Sequence, residues 1–186
     1  DWRHYCGGAI VAPNAIVTAA HCFFSKKRGG LSYDSDTQIR LGDVKLKGDS
    51  SAETFNISSI IKHPLYNGYG PRNDLAMVFT SVEIQFNERK QKVALAQQIE
   101  LKEAKFSAWG YEDGQHQASD VLRESDLDVF DGKFCKQPQF FNNTKTQKRL
   151  AEGNIFCAAA IVRFFPLFIR FNIVKGYKLL SGYLHL

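Results

Sequence analysis

Methionine occurs once in this chain of 186 residues, at Met77. A chain that opens Asp1-Trp2-Arg3-His4 therefore reads as a processed product or as part of something longer. No charged-then-apolar leader precedes the domain-like sequence. Cysteine is scarce too: there are four, none in the C-x-x-C spacing of a zinc or redox site, so no metal and no cofactor is expected. Basic residues outnumber acidic ones only by 24 to 19, and no cluster of Lys and Arg interleaved with aromatics lies in the body, which argues against a nucleic-acid surface. Acidic residues vanish after residue 157, where Arg163, Arg170, Lys175 and Lys178 carry most of the net +5. No internal repeat and no low-complexity tract is present, which excludes solenoids and propellers. A long unbroken apolar run is also missing. The stretch AAAIVRFFPLFIRFNIV has only 17 residues and is interrupted by Arg163, Pro166 and Arg170. Its apolar side chains contribute roughly −0.3 to −0.6 kcal/mol each, against about +2.5 to +3.5 for each arginine near the centre, so membrane contact by the tail is not favoured.

What the chain has is a body of ordinary globular composition, 44% hydrophobic and 23% charged, long enough for one large domain or two small lobes. Short strand-like runs alternate with turn signals as far as residue 157. GGAIVAP and NAIVTAA flank Pro13-Asn14, a turn dipeptide between two β-branched runs, and predict a hairpin. TQIRLGDVKL alternates Ile39 and Leu41 with Gln38 and Arg40. TFNISSIIKHP sets Phe55 and Ile57 against Asn56 and Ser58, leaving Asn56 toward solvent. DLAMVFTS repeats the alternation with Leu75, Met77 and Phe79 as its apolar face, and VLRESDLDVF does so more weakly. Many short strands at this spacing predict an all-β sandwich or barrel. The even cysteine count and two acceptor triplets, Asn56-Ile57-Ser58 and Asn142-Asn143-Thr144, argue for a secreted, glycosylated protein.

One stretch is specific enough for chemistry. CGGAIVAPNAIVTAAHC, residues 6–22, ends in His21 and Cys22. It resembles the histidine segment of the trypsin-like, chymotrypsin-fold serine endopeptidases (peptidase family S1). The resemblance implies a Cys6–Cys22 disulfide, worth about 3 kcal/mol by loop closure, that steadies the strand end carrying a general base. RNDLAMV, residues 72–78, resembles the family's aspartate segment and makes Asp74 the carboxylate that orients His21; IKHPLYN, residues 61–67, is similar to the family as well. SAWGYEDG resembles the opening of the second barrel with Ala108 in place of the first glycine. FCKQ and GNIFCA imply a further disulfide, Cys135–Cys157. These matches run in family order from residue 5 to about 158. They imply a chymotrypsin-like double β-barrel over 1–157, with a nearly complete first barrel (1–97), a partial second one (98–157), and a basic apolar tail at 158–186. A protein or peptide is the implied substrate.

Three departures limit what the resemblance carries. The chain lacks an Ile-Val-Gly-Gly start, and Val93–Phe106 is short for the connection between barrels. The third departure concerns the nucleophile. The family places it in Gly-Asp-Ser-Gly-Gly-Pro roughly a dozen residues after the Cys-Ala that matches Cys157-Ala158, whereas AAIVRFFPLFIRFN contains no serine, aspartate or glycine. The oxyanion-hole donors go with that turn, and losing even one costs about 2.7–4 kcal/mol of transition-state stabilisation. Ser181, the only later serine, has one following glycine and no flanking match. The expectation is an inactive or incomplete endopeptidase, with a pseudoprotease binding module as the alternative. The tail is expected to match missing strands poorly and to leave Phe-rich surface prone to aggregation.

Overall fold

The computed structural model describes residues 4–25, 30–68, 72–95, 103–109 and 119–130, together with the backbone of strands at 155–160, 168–172 and 184–185. Cys135 and Asn142 lie outside these residues. Among the described residues the regular elements are all strands, apart from one 3-10 turn. β1 (Gly8–Ala12) and β2 (Ala15–Thr18) form the hairpin around Pro13-Asn14, pairing Ala12 with Ala15. β3 (Phe24–Ser25) and β4 (Gly30–Leu31) make a small ribbon. β5 (Gln38–Leu41), β6 (Glu53–Lys62) and β7 (Ala76–Thr80) complete the first lobe, and β12 (Leu184–His185) adds to the edge of β5, in the order β1-β2-β7-β6-β5-β12. The second lobe is a four-stranded antiparallel sheet of β8 (Glu103–Ala108), β9 (Arg123–Phe130), β10 (Ile155–Ala160) and β11 (Phe168–Asn172), in the order β11-β10-β9-β8. The tail thus supplies β11 to one lobe and β12 to the other, despite a composition that promised neither.

The core of the first lobe is built across strands rather than along them. Ile10 faces Ile16, Ile16 faces Val78, and Val78 faces Ile60, a row of β-branched side chains spanning four neighbouring strands. Ile39, Leu41, Phe55, Phe23 and Ile84 close over that row. Cross-strand neighbours of this shape pack well on a pleated surface. Burial along β5 alternates as predicted, with Ile39 and Leu41 inward. Along β7 the predicted face is wrong by one residue: Ala76, Val78 and Thr80 point inward, and Leu75, Met77 and Phe79 are only half-buried. Side-chain size favoured Met77 and Phe79, but pairing with β2 and β6 sets the register, and a one-residue slip exchanges the two faces.

The lobes meet at the loop after β5. Lys45 pairs with Val121, the amide of Leu46 donates to Asp120, and the amide of Leu122 donates to the Val44 carbonyl, each of these two bonds 2.8 Å long. The buried Trp109 indole donates to the same Val44 carbonyl at 3.2 Å. Asp43 and Lys90 are both buried nearby, Asp43 paired with Arg40 at 2.8 Å. Lys90, 2% exposed, pairs with the half-exposed Glu53 and lies 5.9 Å from the centre of the Phe55 ring. Replacing Glu53 with alanine strands that ammonium and is expected to cost about 3 kcal/mol, whereas replacing Lys90 with methionine costs less, because the variant removes the charge itself. Urea unfolding of both variants tests the order, and equal losses would refute it.

Candidate active site

β2 and β7 are antiparallel, and Thr18 faces Ala76 at the end of their pairing. The chain leaving β2 and the chain entering β7 therefore lie at the same end of the sheet, which brings His21 and Asp74 together across 53 positions of sequence. After Thr18, extended Ala19 leads into the 3-10 turn Ala20–Cys22. Ala20 is fully buried in a cluster with Tyr66 and Ala76. On the other side, Asn73 adopts φ +55°, a left-handed conformation that asparagine tolerates better than most residues. This turn presents Asp74 immediately ahead of β7.

Asp74 holds His21 twice. The backbone amide of His21 donates to Oδ1 at 2.8 Å, and Nδ1 lies 2.7 Å from Oδ2. The Asp74 side chain is 3% exposed, whereas that of His21 is 60% exposed. With Nδ1 engaged, Nε2 has no hydrogen-bond partner among the described residues. The bond to Asp74 raises the imidazole pKa above its usual value, burial opposes the shift, and the carboxylate charge adds to it. The Cys6–Cys22 disulfide, with its Cα atoms 6.2 Å apart, ties the residue after His21 to the segment ahead of β1. The Thr18 hydroxyl donates to the Gly7 carbonyl at 2.8 Å and reinforces that tie.

The arrangement can accept a proton at Nε2 and stabilise the resulting imidazolium through a buried carboxylate. Four of the residues singled out in the sequence, Cys6, Cys22, His21 and Asp74, meet here. Asn56 lies on β6 with its side chain toward solvent, where its amide oxygen accepts a bond from Gln38 Nε2 at 2.8 Å. Cys157 is in β10, opposite Phe130 on one side and Arg170 on the other. Tyr66 was not anticipated as a site residue. It is buried, packs under the His21 turn, and has its phenol pKa raised by burial and by the Asp74 charge. Its place in IKHPLYN was the available signal. Among the described residues, no helix is long and apolar enough to cross a membrane.

A family model described as trypsin matches residues 1–161. Granzyme M of Homo sapiens is 30% identical over 146 residues, covering 76% of this chain and 53% of that protein. Trypsin of Squalus acanthias is 29% identical over 136 residues, covering 72% and 55%. Transmembrane protease serine 5 of Homo sapiens is 27% identical over 161 residues, covering 82% and 34%. The chain thus spans about a third to a little over half the length of these relatives. The solved structure of neuropsin, a serine protease expressed in the limbic system of mouse brain, superposes with a TM-score of 0.67 at 17% identity. It covers 98% of this chain and 84% of that one, a likeness of fold.

Proposed function

The chain belongs to the trypsin family, and from that premise we propose that it carries the base-and-carboxylate half of a serine endopeptidase site without completing it. In this reading His21 is the general base and Asp74 the group that fixes its tautomer and stabilises its cation. The substrate class is protein or peptide. The observation that carries the incompleteness is β11. Where a glycine-rich turn would offer a nucleophile and two converging amides, residues 168–172 run as an extended strand, with Arg170 opposite Cys157. Successive amides of an extended strand point in opposite directions, in β11 alternately toward β10 and away from it, so they do not converge on a developing oxyanion. Without an activated nucleophile there is no acyl-enzyme route.

A fluorophosphonate probe tests this directly. The full chain is expected to remain unlabelled, as is a His21→Ala variant, while an active trypsin treated in parallel reacts. Labelling that depends on His21, whether mapped to Ser181 or elsewhere, would overturn the proposal. The second reading, a pseudoprotease that binds rather than cuts, draws support from the packed first-lobe core and the formed His21–Asp74 pair, because neither needs the nucleophile.

Secretion and glycosylation belong to the same proposal. Asn56 and Ser58 are both exposed on β6, so a glycan on Asn56 would displace no core contact. Expression through a secretory pathway is expected to yield a chain whose mass falls on treatment with a glycosidase that cleaves N-linked glycans, with deamidation at residue 56. An unmodified Asn56 in the secreted product would refute the assignment, and Asn56→Gln identifies the share due to that position.

A further inference from the structure

The sheet of the first lobe begins with β1 and ends with β12, and these two end strands lie side by side, so the sheet curls round until its ends meet. The closing piece is the shortest strand of that sheet. β12 sets Leu184 opposite Leu41 and His185 opposite Arg40, which covers two of the four positions of β5. Among the described residues, Gln38 and Ile39 have strand partners on the β6 side alone, at Asn56 and Phe55. On the other bank of the seam the Ile10 carbonyl accepts from the Val93 amide at 2.8 Å, which leaves β5 as the edge that can receive a strand. We propose that this seam is a strand-binding groove. It takes an extended segment of a partner protein by antiparallel main-chain pairing along Gln38–Leu41, and the chain's own β12 is its resident, partial occupant.

The chemistry of the ligand follows from β5. Ile39 and Leu41 are fully buried, whereas Gln38 and Arg40 are half-buried. Directly opposed residues of an antiparallel pair share a face. A segment running against β5 from Leu41 to Gln38 therefore carries apolar, polar, apolar and polar residues in that order. The resident pair, Leu184-His185, matches the first two. In strand addition, main-chain bonds supply the affinity and alternate side chains the selectivity.

Displacing the resident costs little, because a two-residue strand holds few bonds, and segments held so lightly open at the low end of a protein's stability range. A four-residue ligand recovers the pairing that β12 gives up and adds that at Gln38 and Ile39. Nothing here depends on whether the chain cuts peptides.

The test compares the full chain with one that stops at Tyr183. The probe is a fluorescent peptide with the sequence of residues 181–186 followed by one threonine, and its control carries aspartate in place of both leucines. Anisotropy titration is expected to show the truncated chain binding the probe at least about 10-fold more tightly than the full chain, since an edge covered about nine-tenths of the time weakens apparent affinity by that factor. The control peptide should bind neither. Hydrogen exchange read by mass spectrometry should slow at residues 38–41 in the complex and stay unchanged in β9. Leu184→Asp in the full chain places a carboxylate opposite buried Leu41 and should match the truncated form, which keeps the test open if the shorter chain does not fold. Equal affinity in the full chain and the variants, no binding by either variant, or binding without protection at 38–41 would overturn the proposal. So would dimers of the full chain that truncation abolishes, because β12 of a second copy would then be the occupant.

Discussion

Replacing Cys6 and Cys22 together by serine is expected to lower stability by about 3 kcal/mol, because the bond closes a loop between positions 16 apart and that constraint on the unfolded chain is lost. For a chain of this length, such a loss corresponds to a fall of roughly 6–12 °C in Tm. Differential scanning calorimetry of the variant and the parent measures it, and a difference of under about 1 °C would show that the loop is already held by β1, β2 and the Thr18 bond to Gly7. The effect should extend to the site. Cys22 is the last residue of the turn carrying His21, so the imidazole resonances of the variant should broaden or split while those of His63, away from the bond, stay single.

Loss of the Asp74 carboxylate should have the second large effect. Asp74→Ala removes two hydrogen bonds at a buried position and leaves the His21 amide without its acceptor, a cost of about 2–3 kcal/mol. It also removes the cause of the raised imidazole pKa. The sign of the pH dependence follows. A histidine whose folded pKa lies above about 6.5 contributes stability that is fully present below that pH and is lost as pH rises through the folded value. The parent chain should therefore lose this increment on the alkaline side, and Asp74→Ala should lack the slope. Chemical-shift titration of His21 and urea midpoints at about pH 5.5 and about pH 8.5 give the two readouts. An unchanged His21 titration in the variant would remove Asp74 from its role, and with it the basis for treating the pair as half of a catalytic triad.

Much of the first lobe was legible because its signals are local. Pro13-Asn14 can only turn the chain, and the alternation of Gln38-Ile39-Arg40-Leu41 matches its burial residue by residue. The His21 segment was legible for another reason. Its residues 6–22, CGGAIVAPNAIVTAAHC, resemble the histidine segment of the trypsin-like family, and that resemblance singled out the residue between the strand and Cys22. β7 was misread because Met77 and Phe79 are the larger apolar side chains, yet the smaller Val78 is the one that completes the row from Ile10 to Ile60. Lys90 gave no sign of being buried, since nothing local to it announces Glu53. The tail was underestimated for a similar reason. Strand pairing satisfies backbone groups whatever the side chains, so a segment of foreign composition can still extend β10 and the edge of β5.

By itself, then, the sequence determined the all-β class, the hairpin, the selection of His21 and Asp74 through a family resemblance, and the lack of any serine between Cys157 and Ser181, because each depends on residue types in short, ordered stretches. Only the tertiary structure decided which face of β7 is buried, that residues from the tail enter both sheets, and that Asp74 holds both the amide and the ring of His21. Those outcomes depend on register between strands far apart in the chain, and register is an energy of the whole sheet that no single segment carries.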